Sequence, residues 1–156
     1  MVATTVTQKY VSDKGLFRLV QNKSRSLKYP NEVDGFSYIV KLTSETIATT
    51  SIDEAADTVE FFTFPEGAKL EALLVDFGDL DSGAGLVVDI QADSTVLINN
   101  STAGQTGAVD ELDAGLQFTD VGGMTLKMVV DTQASTAVAG TVVIYAKFYM
   151  GSFLTL

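Results

Sequence analysis

The residues best suited to chemistry in this chain are carboxylates. Asp76, Asp79 and Asp81 stand close together in the stretch DFGDLDSGAG, ahead of Gly83 and Gly85. Clustered aspartates before a glycine suggest a calcium loop, and a glycine-rich turn suggests a phosphate cradle. An EF-hand loop needs a glycine at its sixth position and a glutamate to close it. Counted from Asp76, the sixth position is Asp81 and no Glu closes the loop; counted from Asp79, the run Asp-Leu-Asp-Ser-Gly also misses the pattern. A phosphate loop needs Gly-Lys-Ser or Gly-Lys-Thr, and neither occurs. The remaining reading is a turn, in which Asp and Ser bond their own backbone and Gly supplies positive φ. Such a turn joins one strand over residues 70–77 to another over residues 86–93. The alternative use for these three aspartates is an adventitious cation site.

Two further acid groups, Asp53 with Glu54 and Asp57, and Asp110 with Glu111 and Asp113, are candidates for paired acid–base work. Such pairs act only when held at set separations across a cleft, and these sit in polar connecting segments, where solvated acid is the ordinary state. The chain has no His and no Cys. It therefore lacks the commonest general base, any thiol nucleophile and any zinc–thiolate site. No serine stands in Gly-x-Ser-x-Gly, and no His is present to activate one. These patterns predict no enzyme, no cofactor and no metal. The sequons at Asn22, Asn99 and Asn100 are read as chance.

The elements that must position these groups are strands. At 156 residues the chain has room for one domain with a real core, and 46% of it is hydrophobic. From Phe36 onward apolar residues recur with period two. In FSYIVKL, Phe36, Tyr38, Val40 and Leu42 share a face, while in VEFFTF, Val59 and Phe61 oppose Phe62 and Phe64. KLEALLVDF is apolar on both faces. Leu86, Val88, Ile90 and Ala92 point one way, and in MTLKMVVD either Leu126, Met128 and Val130 or the residues between them form a second such row. In GTVVIYAKFYM, Val142, Ile144, Ala146 and Phe148 share one face, and Val143, Tyr145 and Tyr149 leave the other unusually apolar. Turn-rich segments separate the runs, and no helical stripe is evident. The prediction is an all-β, antiparallel two-sheet sandwich, jelly-roll-like, of roughly eight strands over residues 36–156, with an extended basic N-terminal arm over residues 1–35.

Charge divides at a similar place. Residues 1–41 hold seven of the ten basic side chains and three of the twenty acidic ones, a net of +4, and the remainder carries −14. An acidic body repels phosphate backbones, so nucleic acid is not the expected partner. The arm, with Lys14, Arg18, Lys23 and Arg25 interleaved with Leu16, Phe17 and Leu19, suits an acidic protein surface, neighbouring copies included. The opening residues lack the regions of a signal peptide. No apolar run approaches the ~20 residues of a membrane helix. A soluble protein made in a cytoplasm, with no membrane partner, is expected.

Residues 55–150 resemble small virion structural proteins of tailed bacteriophages. The resemblance lies in the succession FFTFPEGAKLEALLVDFGDLDSGAGLVVDIQAD, then STAGQTGAVDELDAG, then GMTLKMVVDTQASTAVAGTVVIYAKFYM. It implies a β-sandwich that oligomerises on a phage particle, first of all a head decoration or cement protein without catalytic residues. Its partners would be the major capsid protein or other virion proteins and further copies of itself, a trimer being the first expectation, and its location the virion. Val143, Tyr145 and Tyr149 are the expected subunit contact. The alternatives are a neck, tail or fibre-attachment protein, and a carbohydrate-binding module using Tyr145, Phe148, Tyr149 and Phe153.

Overall fold

A computed structural model describes residues 20–23 and 36–150. Among the described residues ten strands follow one another: β1 (Val20–Lys23), β2 (Phe36–Thr43), β3 (Thr58–Thr63), β4 (Lys69–Phe77), β5 (Val87–Ala92), β6 (Thr95–Ser101), β7 (Val109–Glu111), β8 (Thr119–Asp120), β9 (Thr125–Thr132) and β10 (Val142–Met150). They form two antiparallel sheets. One runs β1-β2-β10-β4-β7, with β8 also on β4; the other runs β3-β9-β5-β6. Leaving aside β1 and the two-residue β8, the order is that of a jelly roll, eight strands whose chain crosses repeatedly between the sheets. Val20–Lys23, within the stretch read as an arm, adds to the edge of the larger sheet through Val20 opposite Ile39 and Lys23 opposite Phe36.

Alternation explains why these strands make a sandwich. Each has one apolar row, and only a second sheet removes that row from water. Val142, Ile144, Ala146 and Phe148 of β10 face Val88, Ile90, Leu126 and Met128 from the other sheet, all within one buried cluster. Phe148 lies against Tyr38 and meets Phe64 edge-on, with ring centroids 5.7 Å apart in both cases.

Two of the register shifts change which side chains face inward on β3 and β4. The β3–β9 register shifts between Glu60 and Phe62, so Phe61 and Phe62 are both buried rather than opposed. An extra residue rotates the chain and lets two neighbours face the same way. The β10–β4 register likewise shifts at Phe148, which pairs with Leu70 while Lys147 pairs with Ala72. That turns Leu70 and Leu73 both inward and leaves Leu74 outward.

Candidate functional site

The three aspartates of the opening stretch do not converge. Asp76 stands on β4 opposite Val109, Asp79 is exposed in the following loop, and Asp81 is completely buried. The Asp81 carboxylate is a hub. Its Oδ1 accepts backbone N–H bonds from Gly83 at 3.0 Å and Thr136 at 2.7 Å. Its Oδ2 accepts from Gly85 and Leu86, both at 2.9 Å, and from Ser135 at 3.1 Å. The Ser135 hydroxyl adds a longer contact at 3.3 Å. Burial opposes ionisation, but the N–H groups of Thr136, Gly85, Leu86 and Gly83 outweigh it and hold the carboxyl well below the usual carboxylate range. Both oxygens are engaged by donors, so the group fastens two loops. It is not poised as a base.

Glycine permits this closeness. A Cβ on Gly85 would lie 2.9 Å from the Ser135 nitrogen and 3.1 Å from the Gln133 carbonyl oxygen. The turn after Asp81 and the loop before β10 can thus pack backbone to backbone. The sequence reading of a turn between β4 and β5 holds, with one addition: the turn crosses between sheets and is tied to residues more than fifty positions away.

One or two members of each other acid group accept backbone N–H bonds. The Asp57 carboxylate accepts the Glu54 N–H, Asp110 accepts the Glu111 N–H, and Asp113 accepts the Asn99 N–H at 3.0 Å. Among the described residues, no three His, Cys, Asp or Glu side chains are grouped to hold a metal ion.

Of the predicted contact residues, Val143, Tyr145 and Tyr149 lie on the outer face of β10, all half-buried. The Lys41 ammonium sits 5.2 Å from the Tyr145 ring centroid, and on the same face Lys147 bonds Glu71 at 2.9 Å. The late aromatics do not form one row, because Phe148 turns into the core while Tyr145 and Tyr149 face out. Of the arm residues, Lys14, Leu16, Phe17, Arg18, Leu19 and Arg25 lie outside the described residues, as does Phe153, and Lys23 is the last residue of β1.

Sequence reasoning passed over one region. Among the described residues the exposed large apolar side chains are Leu74, Val109 and Phe118. All three border the edge where β7 and β8 flank β4. A groove of about 200 Å³ lies there, lined in part by Glu71, Ala72, Leu73, Glu111, Asp113 and Gln117. Val109 and Phe118 stand singly in polar connecting sequence, so no periodicity marks them. Their isolation there was the available signal.

With this geometry in hand, the chain can be compared with known proteins. It superposes on a chain of the cyanophage Pam1 capsid asymmetric unit with a TM-score of 0.56 at 20% identity, over 83% of this chain and 93% of that one. The fold is shared with a phage capsid chain. A chain from the capsid of Ralstonia phage GP4 matches with a TM-score of 0.52 at 21% identity, over 82% of this chain and 92% of that one. At these identities the likeness is one of fold. No protein-family profile matches the sequence, nor does any curated protein. Among the described residues no helix is long and apolar enough to cross a membrane.

Proposed function

We propose that this protein is a non-enzymatic structural component of a tailed-phage virion, a decoration or cement protein that binds the outer head shell and stabilises it. The observation that carries the proposal is the shared fold with chains of two phage capsids, which extends over nearly the whole of those chains. Asp57, Asp81, Asp110 and Asp113 are in keeping with it, since each accepts backbone N–H bonds and so holds the frame of the sandwich. The partners are the shell protein and neighbouring copies, a trimer being the working assembly, and the location is the virion.

In this reading residues 1–35 carry attachment. Leu16, Phe17 and Leu19 bury apolar surface on an acidic neighbour, at ~25 cal/mol per Å² less the ordering cost. Lys14, Arg18, Lys23 and Arg25 pair at the rim, where each pair adds little and salt screens it. Apolar anchors therefore supply affinity, and charge supplies rate and register. Val143, Tyr145 and Tyr149 form the contact between subunits. The test is to add full-length protein to shells that lack it and measure bound protein per shell subunit. Saturable binding in fixed ratio to the shell subunit, lost on deletion of residues 1–19 and weakened only in part by salt, is the expected result. Binding at a single vertex would move the protein to the neck or tail. Undiminished binding by the deleted chain would assign attachment to the sandwich surface.

A further inference from the structure

The groove on the outer edge of β4 gathers features that the sandwich itself does not use. Leu74 and Phe118 are next in the chain to its lining residues Leu73 and Gln117, and Val109 stands two residues before Glu111 on β7, with Val109 53% and Phe118 59% exposed. Phe118 also has φ 63°, a left-handed backbone that a bulky residue adopts only at a cost. Three carboxylates, Glu71, Glu111 and Asp113, line the groove, and no lysine or arginine does. Glu71 is held by Lys147, Asp113 accepts the Asn99 N–H, and Glu111 is exposed. The surface therefore suits a short segment that alternates apolar and basic residues.

The chain contains such a segment. Residues 14–19 read Lys-Gly-Leu-Phe-Arg-Leu, and they run directly into β1. We infer that the groove beside β4, β7 and β8 is the docking site for residues 14–19 of a neighbouring copy of this chain. Phe17 lies against Val109, Arg18 reaches Glu111, and Leu19 points along β4 toward Phe118.

Strand order excludes the same copy. β1 and β7 are at opposite edges of the larger sheet, four strand spacings apart, which is ~19 Å. Phe17 precedes Val20 by three residues and reaches ~11 Å from it when fully extended. The backbone at Phe17 and Leu19, the two anchors, therefore falls short of that edge in its own copy, and the docking is assigned to another. Each copy then gives one segment and receives one, a head-to-tail contact that becomes a ring when the rotation closes.

This inference names the neighbour surface left open in the proposed function, but its test needs no shell. The chain has no native cysteine, so introduced thiols report without background. Full-length Phe17→Cys is mixed with full-length Val109→Cys under mild oxidation. A mixed disulfide between the two chains is expected. Glu60→Cys, exposed on the other sheet, should give at least about tenfold less with Phe17→Cys. Adding Glu111→Lys to the Val109→Cys chain should lower the yield several-fold, and adding Arg18→Glu to the Phe17→Cys chain should restore it. A chain bearing both Phe17→Cys and Val109→Cys should link between copies. Equal yields at Val109 and Glu60, or a disulfide closed within one chain, would overturn the inference. Either result could stand beside intact shell binding, in which case the virion reading survives and this docking site does not.

Discussion

Replacing Asp81 with Asn keeps size and shape and removes the charge. The amide can place its carbonyl oxygen at only one of the two carboxylate positions. In its better orientation it keeps the N–H bonds of Gly85, Leu86 and Ser135 and turns an NH₂ toward those of Gly83 and Thr136. Hydrogen bonds to a charged group contribute about 1.5–3 kcal/mol each. Thr136 is exposed and Gly83 half-exposed, so water can reach both donors and the low end of that range applies. Two such losses come to about 3 kcal/mol, or a fall of about 10 °C in Tm for a chain of this length. Asp79→Asn, at an exposed position in the same loop, should stay within about 0.5 kcal/mol of the parent.

The pH dependence follows from the depressed pKa of Asp81. Its contribution is complete above the unfolded-state value near ~3.9 and is lost as pH falls toward the lower folded-state value. The Tm difference between parent and Asp81→Asn should therefore be level from neutral pH down to about pH 5 and narrow below about pH 4. Calorimetric melts across that range, with Asp79→Asn alongside, are the assay. If Asp81→Asn melted with the parent, or if Asp79→Asn fell as far, the carboxylate would not be what fastens the two loops.

Two other substitutions probe the frame of the sandwich. Ser44 is buried at the end of β2, where its Oγ accepts the Val142 N–H at 2.9 Å and its own N–H donates to the Val142 carbonyl oxygen at 2.9 Å. Ser44→Ala strands the Val142 donor and should cost about 1–3 kcal/mol in denaturant unfolding, with the m-value unchanged. A Cβ on Gly122 would lie 2.5 Å from the Gly67 nitrogen and 3.2 Å from the Ala68 nitrogen. These are backbone atoms that cannot step aside, so Gly122→Ala should cost about 1–3 kcal/mol by the same measurement.

The strands legible in the sequence were the long, regular ones. β5, β9 and β10 alternate without a break in burial; in β5 and β10 the inward row is the one the sequence indicates, and in β9 the structure selects Leu126, Met128 and Val130 from the two rows left open. β3 misled because the bulge at Phe61 is set by pairing with β9, a tertiary event with no local mark in Val-Glu-Phe-Phe. β7 and β8, at three and two residues, are too short to alternate at all. Their pairing with β4 builds the groove, so the groove was hidden along with them. The failed ligand spacing of Asp76, Asp79 and Asp81 was readable as a turn. The partners that give Asp81 its particular role, Ser135 and Thr136, were not, because they come from a loop far along the chain. The outward row Val143, Tyr145 and Tyr149 was visible as missing polar alternation, whereas Lys41 over Tyr145 depends on the β2–β10 register.

The most direct test of the central claim is electron cryo-microscopy of phage particles assembled in cells that express this protein. The account predicts density for the two-sheet sandwich on the outer surface of the head, repeated with the shell lattice, with the chain before β1 running from each copy onto the groove of the next. Density for the sandwich only at the neck, tail or fibres would contradict decoration of the head. Particles without the protein would contradict the virion role altogether.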